Sequence, residues 1–123
     1  MSDPNGGVAP RPHILVVEDD AIIAMDNAMQ LGKLGFEPLG PATTGEQAIE
    51  MAGWLRPHLA LMDGIAAAQE IRTQSGIPCV FLSAFTGEEI QARAKLTDPA
   101  GYMAKPFTEY ELRTVMVAVL AEI

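Results

Sequence analysis

Glu18, Asp19 and Asp20 follow the apolar run Ile14-Leu15-Val16-Val17 directly, and a second apolar run, Leu59-Ala60-Leu61-Met62, stops at Asp63. Two strands of one parallel sheet that both end in carboxylates gather them at one sheet edge, the edge where open α/β folds bind ligands. Like charges collected there repel one another unless a cation sits among them, and hard carboxylate oxygens suit Mg²⁺. Two more run ends complete the set: Ser83 after Val80-Phe81-Leu82, and Lys105-Pro106 after Gly101-Tyr102-Met103-Ala104. Taken singly, each residue has an ordinary structural use. An Asp after a strand commonly caps a helix, a lone Lys is a solvated surface charge, a lone Ser is a turn residue, and Tyr102 alone reads as half-buried core.

The elements that must position these groups read as short apolar runs alternating with helical patterns. Buried strands are expected at His13–Val17, His58–Met62, Pro78–Leu82 and Ala100–Ala104, with a weaker one at Phe36–Gly40, where Pro38 points to a sheet edge. Helices are expected at Ala21–Leu34, Thr44–Leu55, Ile65–Gln74, Thr86–Lys95 and Thr108–Glu122. The first carries Ile22, Met25 and Met29 at helical spacing, and Gly35 can end it. Thr44/Gln47, Thr86/Glu89 and Thr108/Glu111 are capping-box pairs. Leu112, Val115, Met116 and Val119 form one apolar stripe. Strands alternating with helices imply an α/β fold, a five-stranded parallel sheet with helices on both faces.

The 123 residues amount to one domain. Residues 1–11, polar and rich in Gly and Pro, read as a disordered N-terminal tail without the apolar core of a signal peptide, and residues 12–123 as the folded domain. No apolar stretch is long enough to span a membrane. The net charge of −8 argues against direct binding to nucleic acid. The single cysteine, Cys79, lies in an apolar run and reads as core; one cysteine suits a reducing, cytoplasmic setting. Trp54 reads as a packing residue. His13 and His58 head strands and show no ligand partners nearby.

The four stretches Ile14–Asp20, Leu59–Asp63, Val80–Ala84 and Gly101–Phe107 together resemble a response-regulator receiver domain of two-component signalling. The resemblance runs from about His13 to the C-terminus. It implies a flavodoxin-like, doubly wound (βα)5 fold with strand order 2-1-3-4-5. It implies that Asp63 accepts a phosphoryl group from a histidine kinase or a phosphotransfer protein, and that Glu18, Asp19 and Asp63 hold Mg²⁺. Asp20 fits the start of the first helix better than the metal. Ser83 would donate to a phosphoryl oxygen, Lys105 would pair with the phosphoryl group or the unmodified Asp63, and Tyr102 would follow Ser83 as the aromatic switch. Lys105-Pro106 would be cis, as is usual in the family. A carboxylate is a weak nucleophile, so such chemistry rests on alignment and on neutralising the phosphoryl oxygens. The added charge would move Ser83 and Tyr102 and reshape the surface bearing Thr86–Lys95.

One interval departs from the family pattern. The spacings Asp19 to Asp63 and Ser83 to Lys105 are usual, but Asp63 to Ser83 is about ten residues short. Asp63-Gly64 runs straight into Ile65-Ala66-Ala67-Ala68, so Asp63 corresponds either to the phosphoacceptor or to the Asp-Gly that often ends the family's loop. Its place after Leu59–Met62 favours the first. Residues 63–77 are barely enough for a parallel crossover of roughly a dozen residues. The backbone carbonyl that would complete the metal site falls on Ile65, where a helical carbonyl points away from the ion. Either the loop is absent from the molecule or residues are missing from the sequence as written; the intact motifs favour the second.

The leading expectation is therefore a phosphorylation-dependent switch, not an enzyme beyond autocatalytic phosphorylation and dephosphorylation. The alternative is a pseudo-receiver that binds partners without phosphoryl chemistry. A Mg²⁺-dependent phosphohydrolase with an aspartyl nucleophile would commonly carry Asp-x-Asp and a cap domain, and the chain has neither. With no output domain expected after Ile123, it reads as a stand-alone receiver or a fragment of a larger regulator or hybrid kinase. An output protein of unknown identity is a further partner, no membrane partner is expected, and self-association into a homodimer is compatible with the fold.

Overall fold

A computed structural model of the chain describes residues 11–62, 71, 73–83, 101–104 and 107–121. The tail up to residue 10, the start of the helix expected at Ile65–Gln74, the helix expected at Thr86–Lys95 and the Lys105-Pro106 bond lie outside the described residues. The elements are β1 (His13–Val17), α1 (Ala21–Lys33), β2 (Glu37–Ala42), α2 (Gly45–Leu55), β3 (Leu59–Met62), β4 (Cys79–Ser83), β5 (Gly101–Ala104) and α3 (Glu109–Ala121). Ile71 and residues 73–75 are also helical. No helix among the described residues is long and apolar enough to cross a membrane.

The five strands form one parallel sheet in the order β2-β1-β3-β4-β5. Alternate strand residues supply two cores. Ile14, Val16, Leu59, Leu61, Val80, Leu82 and Met103 meet Ala24 and Leu31 of α1 and Leu112, Met116 and Val119 of α3. Leu15, Val17, Ala60, Met62, Cys79 and Phe81 meet Ala48 and Ala52 of α2, together with Ile71 and Ile77. Burial on both faces is why these strands read as unbroken apolar runs. Each fully buried Leu, Ile or Val stabilises the fold by about 1.5–3 kcal/mol.

β2 is an edge strand, as Pro38 suggested, but it runs to Ala42 rather than stopping at Gly40. Its pairing with β1 shifts register between Leu15 and Val17. Gly40 sits at that irregularity with φ +97°, and a Cβ there would lie 2.9 Å from the Ala42 nitrogen and 3.1 Å from the Val16 carbonyl oxygen. Only glycine meets both demands.

Three helix starts are fixed by side chains. Thr44 Oγ1 accepts from the Gln47 N–H (3.1 Å), while Gln47 Oε1 accepts from the Thr43 N–H (2.7 Å), one residue earlier than a strict capping box. Thr108 and Glu111 form the full reciprocal pair, at 3.0 and 3.2 Å. Asp20 caps α1.

Two expectations need correction. Ile22, Met25 and Met29 of α1 do not face the core: they are 79%, 67% and 56% exposed, and the buried face is Ala24, Asn27 and Leu31. Trp54 is likewise not a packing residue, being 77% exposed near the end of α2. The chain is also continuous through its 123 residues. The short interval between Asp63 and Ser83 therefore belongs to the molecule, and β3 and β4 still pair in parallel across it, Met62 opposite Phe81.

Candidate functional site

Strand register decides which residues share the carboxyl edge of the sheet. Val17 lies opposite Met62, and Met62 lies opposite Phe81. The residues that follow Val17 and Met62 in sequence are Glu18 and Asp63. Ser83 ends β4 opposite Ala104, the last residue of β5, and Lys105 comes next in sequence. Tyr102 sits two residues back on β5, opposite Phe81. The sheet thus brings the ends of all four motif-bearing strands to one edge. Asp63 and Lys105 themselves lie outside the described residues.

Glu18 is only 3% exposed, whereas Asp19 and Asp20 are exposed. Its backbone N–H donates to the Ala42 carbonyl at 2.9 Å, which extends the β1–β2 ladder by one residue. Its Oε2 accepts from the Asp20 N–H at 3.1 Å. Asp20 Oδ1 accepts from the N–H groups of Ile22 (2.9 Å) and Ile23 (3.1 Å), so its carboxylate is committed to the start of α1. A buried glutamate is costly unless its charge is compensated. Its position beside the exposed Asp19 gives two hard oxygen donors suited to Mg²⁺. Among the described residues no three His, Cys, Asp or Glu side chains gather as a metal set. The donor set expected here needs Asp63 as its third member.

At the other end of the same strands the two histidines meet. The His13 N–H donates to His58 Nδ1 at 2.9 Å, and the His58 N–H donates to the His13 carbonyl at 2.8 Å. The two rings meet edge to face with centroids 5.7 Å apart. They are each other's partners, 45 residues apart in sequence. Strand pairing brings them together, and only the β1–β3 register, once assigned, could have announced it.

The family model for the response regulator receiver domain matches residues 14–117. Transcriptional regulatory protein PdtaR of Mycobacterium tuberculosis is 37% identical over 106 residues, covering 80% of this chain and 52% of that protein. DNA-binding response regulator MtrA of Mycobacterium leprae is 34% identical over 109 residues, covering 83% of this chain and 48% of that protein. Among solved structures, the signal receiver domain of a modulated diguanylate cyclase from Desulfovibrio desulfuricans G20 superposes with a TM-score of 0.82 at 30% identity, covering 92% of this chain and 96% of that one. Vibrio cholerae chemotaxis protein CheY4 shares the fold, with a TM-score of 0.82 at 23% identity over 89% of this chain and 99% of that one. The chain belongs to the response-regulator receiver family and has its flavodoxin-like fold. It spans about half the length of the curated relatives it matches.

Proposed function

We propose that this receiver domain is a Mg²⁺-dependent phosphoacceptor in the cytoplasm, with Asp63 as the acceptor. The observation that carries the reading is the register Val17–Met62–Phe81, which aligns the strand ends preceding Glu18 and Asp63 at one edge. A carboxylate oxygen of Asp63 attacks the phosphorus of a phosphohistidine on a histidine kinase or phosphotransfer protein. The new O–P bond forms as the P–N bond breaks, and the electron pair returns to the imidazole. Mg²⁺, held by Glu18, Asp19 and Asp63, would neutralise phosphoryl oxygens and align the acceptor. Lys105 supplies a second positive charge and Ser83 a hydroxyl donor. The product, an acyl phosphate, adds roughly two negative charges. Ser83 and Tyr102 report that charge to an output partner, as befits a chain whose curated relatives are regulators about twice its length.

A second reading rests on the short interval of 20 residues from Asp63 to Ser83. A pseudo-receiver would keep the fold and the partner surface without phosphoryl chemistry. Intact mass measured with acetyl phosphate and Mg²⁺ separates the two. Gain of one phosphoryl group, abolished in Asp63→Asn and by chelation of the metal, is the expected result. A wild-type mass that never changes sinks the phosphoacceptor reading and leaves the pseudo-receiver.

A further inference from the structure

α2 turns a distinct face outward. Its buried residues, Ala48 and Ala52, pack on the sheet. At about 100° per residue, Glu46, Glu50, Gly53 and Trp54 fall on the opposite side of the helix, within one arc. All four are exposed, Trp54 at 77%. Gly53 is the odd member. A glycine inside a helix costs stability relative to alanine, yet a Cβ at this position would meet nothing within 4 Å. Packing within the chain gives no reason for it. What it provides is a bare step on the same face as Trp54, open to a side chain arriving from outside.

Charge selects the occupant. α2 carries two carboxylates on this face and contains no Lys or Arg, in a chain of net charge −8. Arg56, the left-handed residue that ends the helix, is the nearest cation in sequence, and among the described residues no ring contact forms on Trp54. An indole face attracts cations, Arg most often, while the two carboxylates repel nucleic acid. We propose that this face of α2 is a docking surface for a basic segment of a partner protein. One arginine lies on the Trp54 indole over the step left by Gly53, and further cations pair with Glu50 and Glu46, one and two turns earlier. From Glu46 to Trp54 the surface runs about 12 Å along the helix. α2 ends just before β3 begins, so Trp54 lies toward the amino edge of the sheet, and docking there does not depend on the chemistry of the carboxyl edge.

Trp54 is the single tryptophan of the chain, so its emission reports on this face directly. The probe is a synthetic helical peptide with arginine at every fourth position, and its control carries glutamine at the same positions. The arginine peptide is expected to change Trp54 emission saturably, and the glutamine peptide to leave it unchanged. Replacing both carboxylates, Glu46→Gln with Glu50→Gln, is expected to weaken binding about fivefold. Gly53→Gln, which fills the step, is expected to weaken it about threefold, the loss of an exposed cation–ring contact, without lowering the melting temperature. Asp26→Asn with Glu37→Gln removes the same charge from exposed positions elsewhere and should leave the affinity within about twofold. Equal weakening by the two double variants would make net charge alone the cause and overturns the proposal. Binding that leaves Trp54 emission unchanged overturns it, as does the absence of saturable binding up to millimolar peptide. Emission that shifts with protein concentration in the absence of peptide would assign the face to a second copy of the chain, and overturns the basic partner.

Discussion

β1 begins at His13, His58 immediately precedes β3, and both strands lead in sequence to an acidic residue, yet the two ends of this strand pair carry groups of different kinds. At the amino end His13 and His58 satisfy each other through two hydrogen bonds and an edge-to-face ring contact. Unlike groups meet there, a donor with an acceptor, and nothing further is called for. At the carboxyl end the strands lead to groups of the same charge, one of them the buried Glu18. On the function proposed above, Mg²⁺ is what would let such groups share one edge.

The comparison can be broken most severely from its middle. Leu61 lies in β3 between the two ends and is buried. Leu61→Ala is expected to cost about 2–5 kcal/mol of stability in a urea titration and to weaken both ends together. An effect confined to one end would mean that the ends do not share a scaffold. Next, Asp19→Asn should lower Mg²⁺ affinity about tenfold or more, the loss of an expected ligand, without lowering the melting temperature of the metal-free protein. A metal-free chain destabilised by that change would show the acidic end to be as structural as the basic one. His58→Ala is the mirror test. Loss of one exposed hydrogen bond should cost about 0.5 kcal/mol and leave Mg²⁺ affinity unaltered. The smallest effect belongs to Met25→Gln on the exposed side of α1, where stability should stay within about 0.5 kcal/mol of the wild type. A larger loss would mean that the exposed stripe packs on something in solution.

The legibility of the sequence follows the same division. Strands buried on both faces are continuous apolar runs, so those four were located to within one residue, and the edge strand to within two. The capping pair Thr108/Glu111 was equally plain, because both residues serve only their own helix. α1 was legible as a helix but not in its facing. Its buried side is Ala24, Asn27 and Leu31, and a reading that follows bulk selects Ile22, Met25 and Met29 instead. Trp54 misled likewise, being exposed near the end of α2. The carboxyl-edge residues were legible from strand ends and from the family resemblance, and the register brings those ends together. The histidine pair was hidden because its members are joined only by register across 45 residues. The short interval after Asp63 was visible only against the spacing usual in the family.

The edge position of β2 carries one more consequence. Glu37 directs its N–H inward to the Pro12 carbonyl at 2.8 Å, so alternation turns residue 38 outward. That residue is proline, which has no N–H to offer, and a second proline follows at residue 41. A foreign strand arriving at this side would find a donor missing where its first rungs should form. The sheet is closed to growth on that flank, which guards a small acidic protein against runaway stacking. Any neighbour that approaches over β2 must grip it by side chains and helices instead of by backbone.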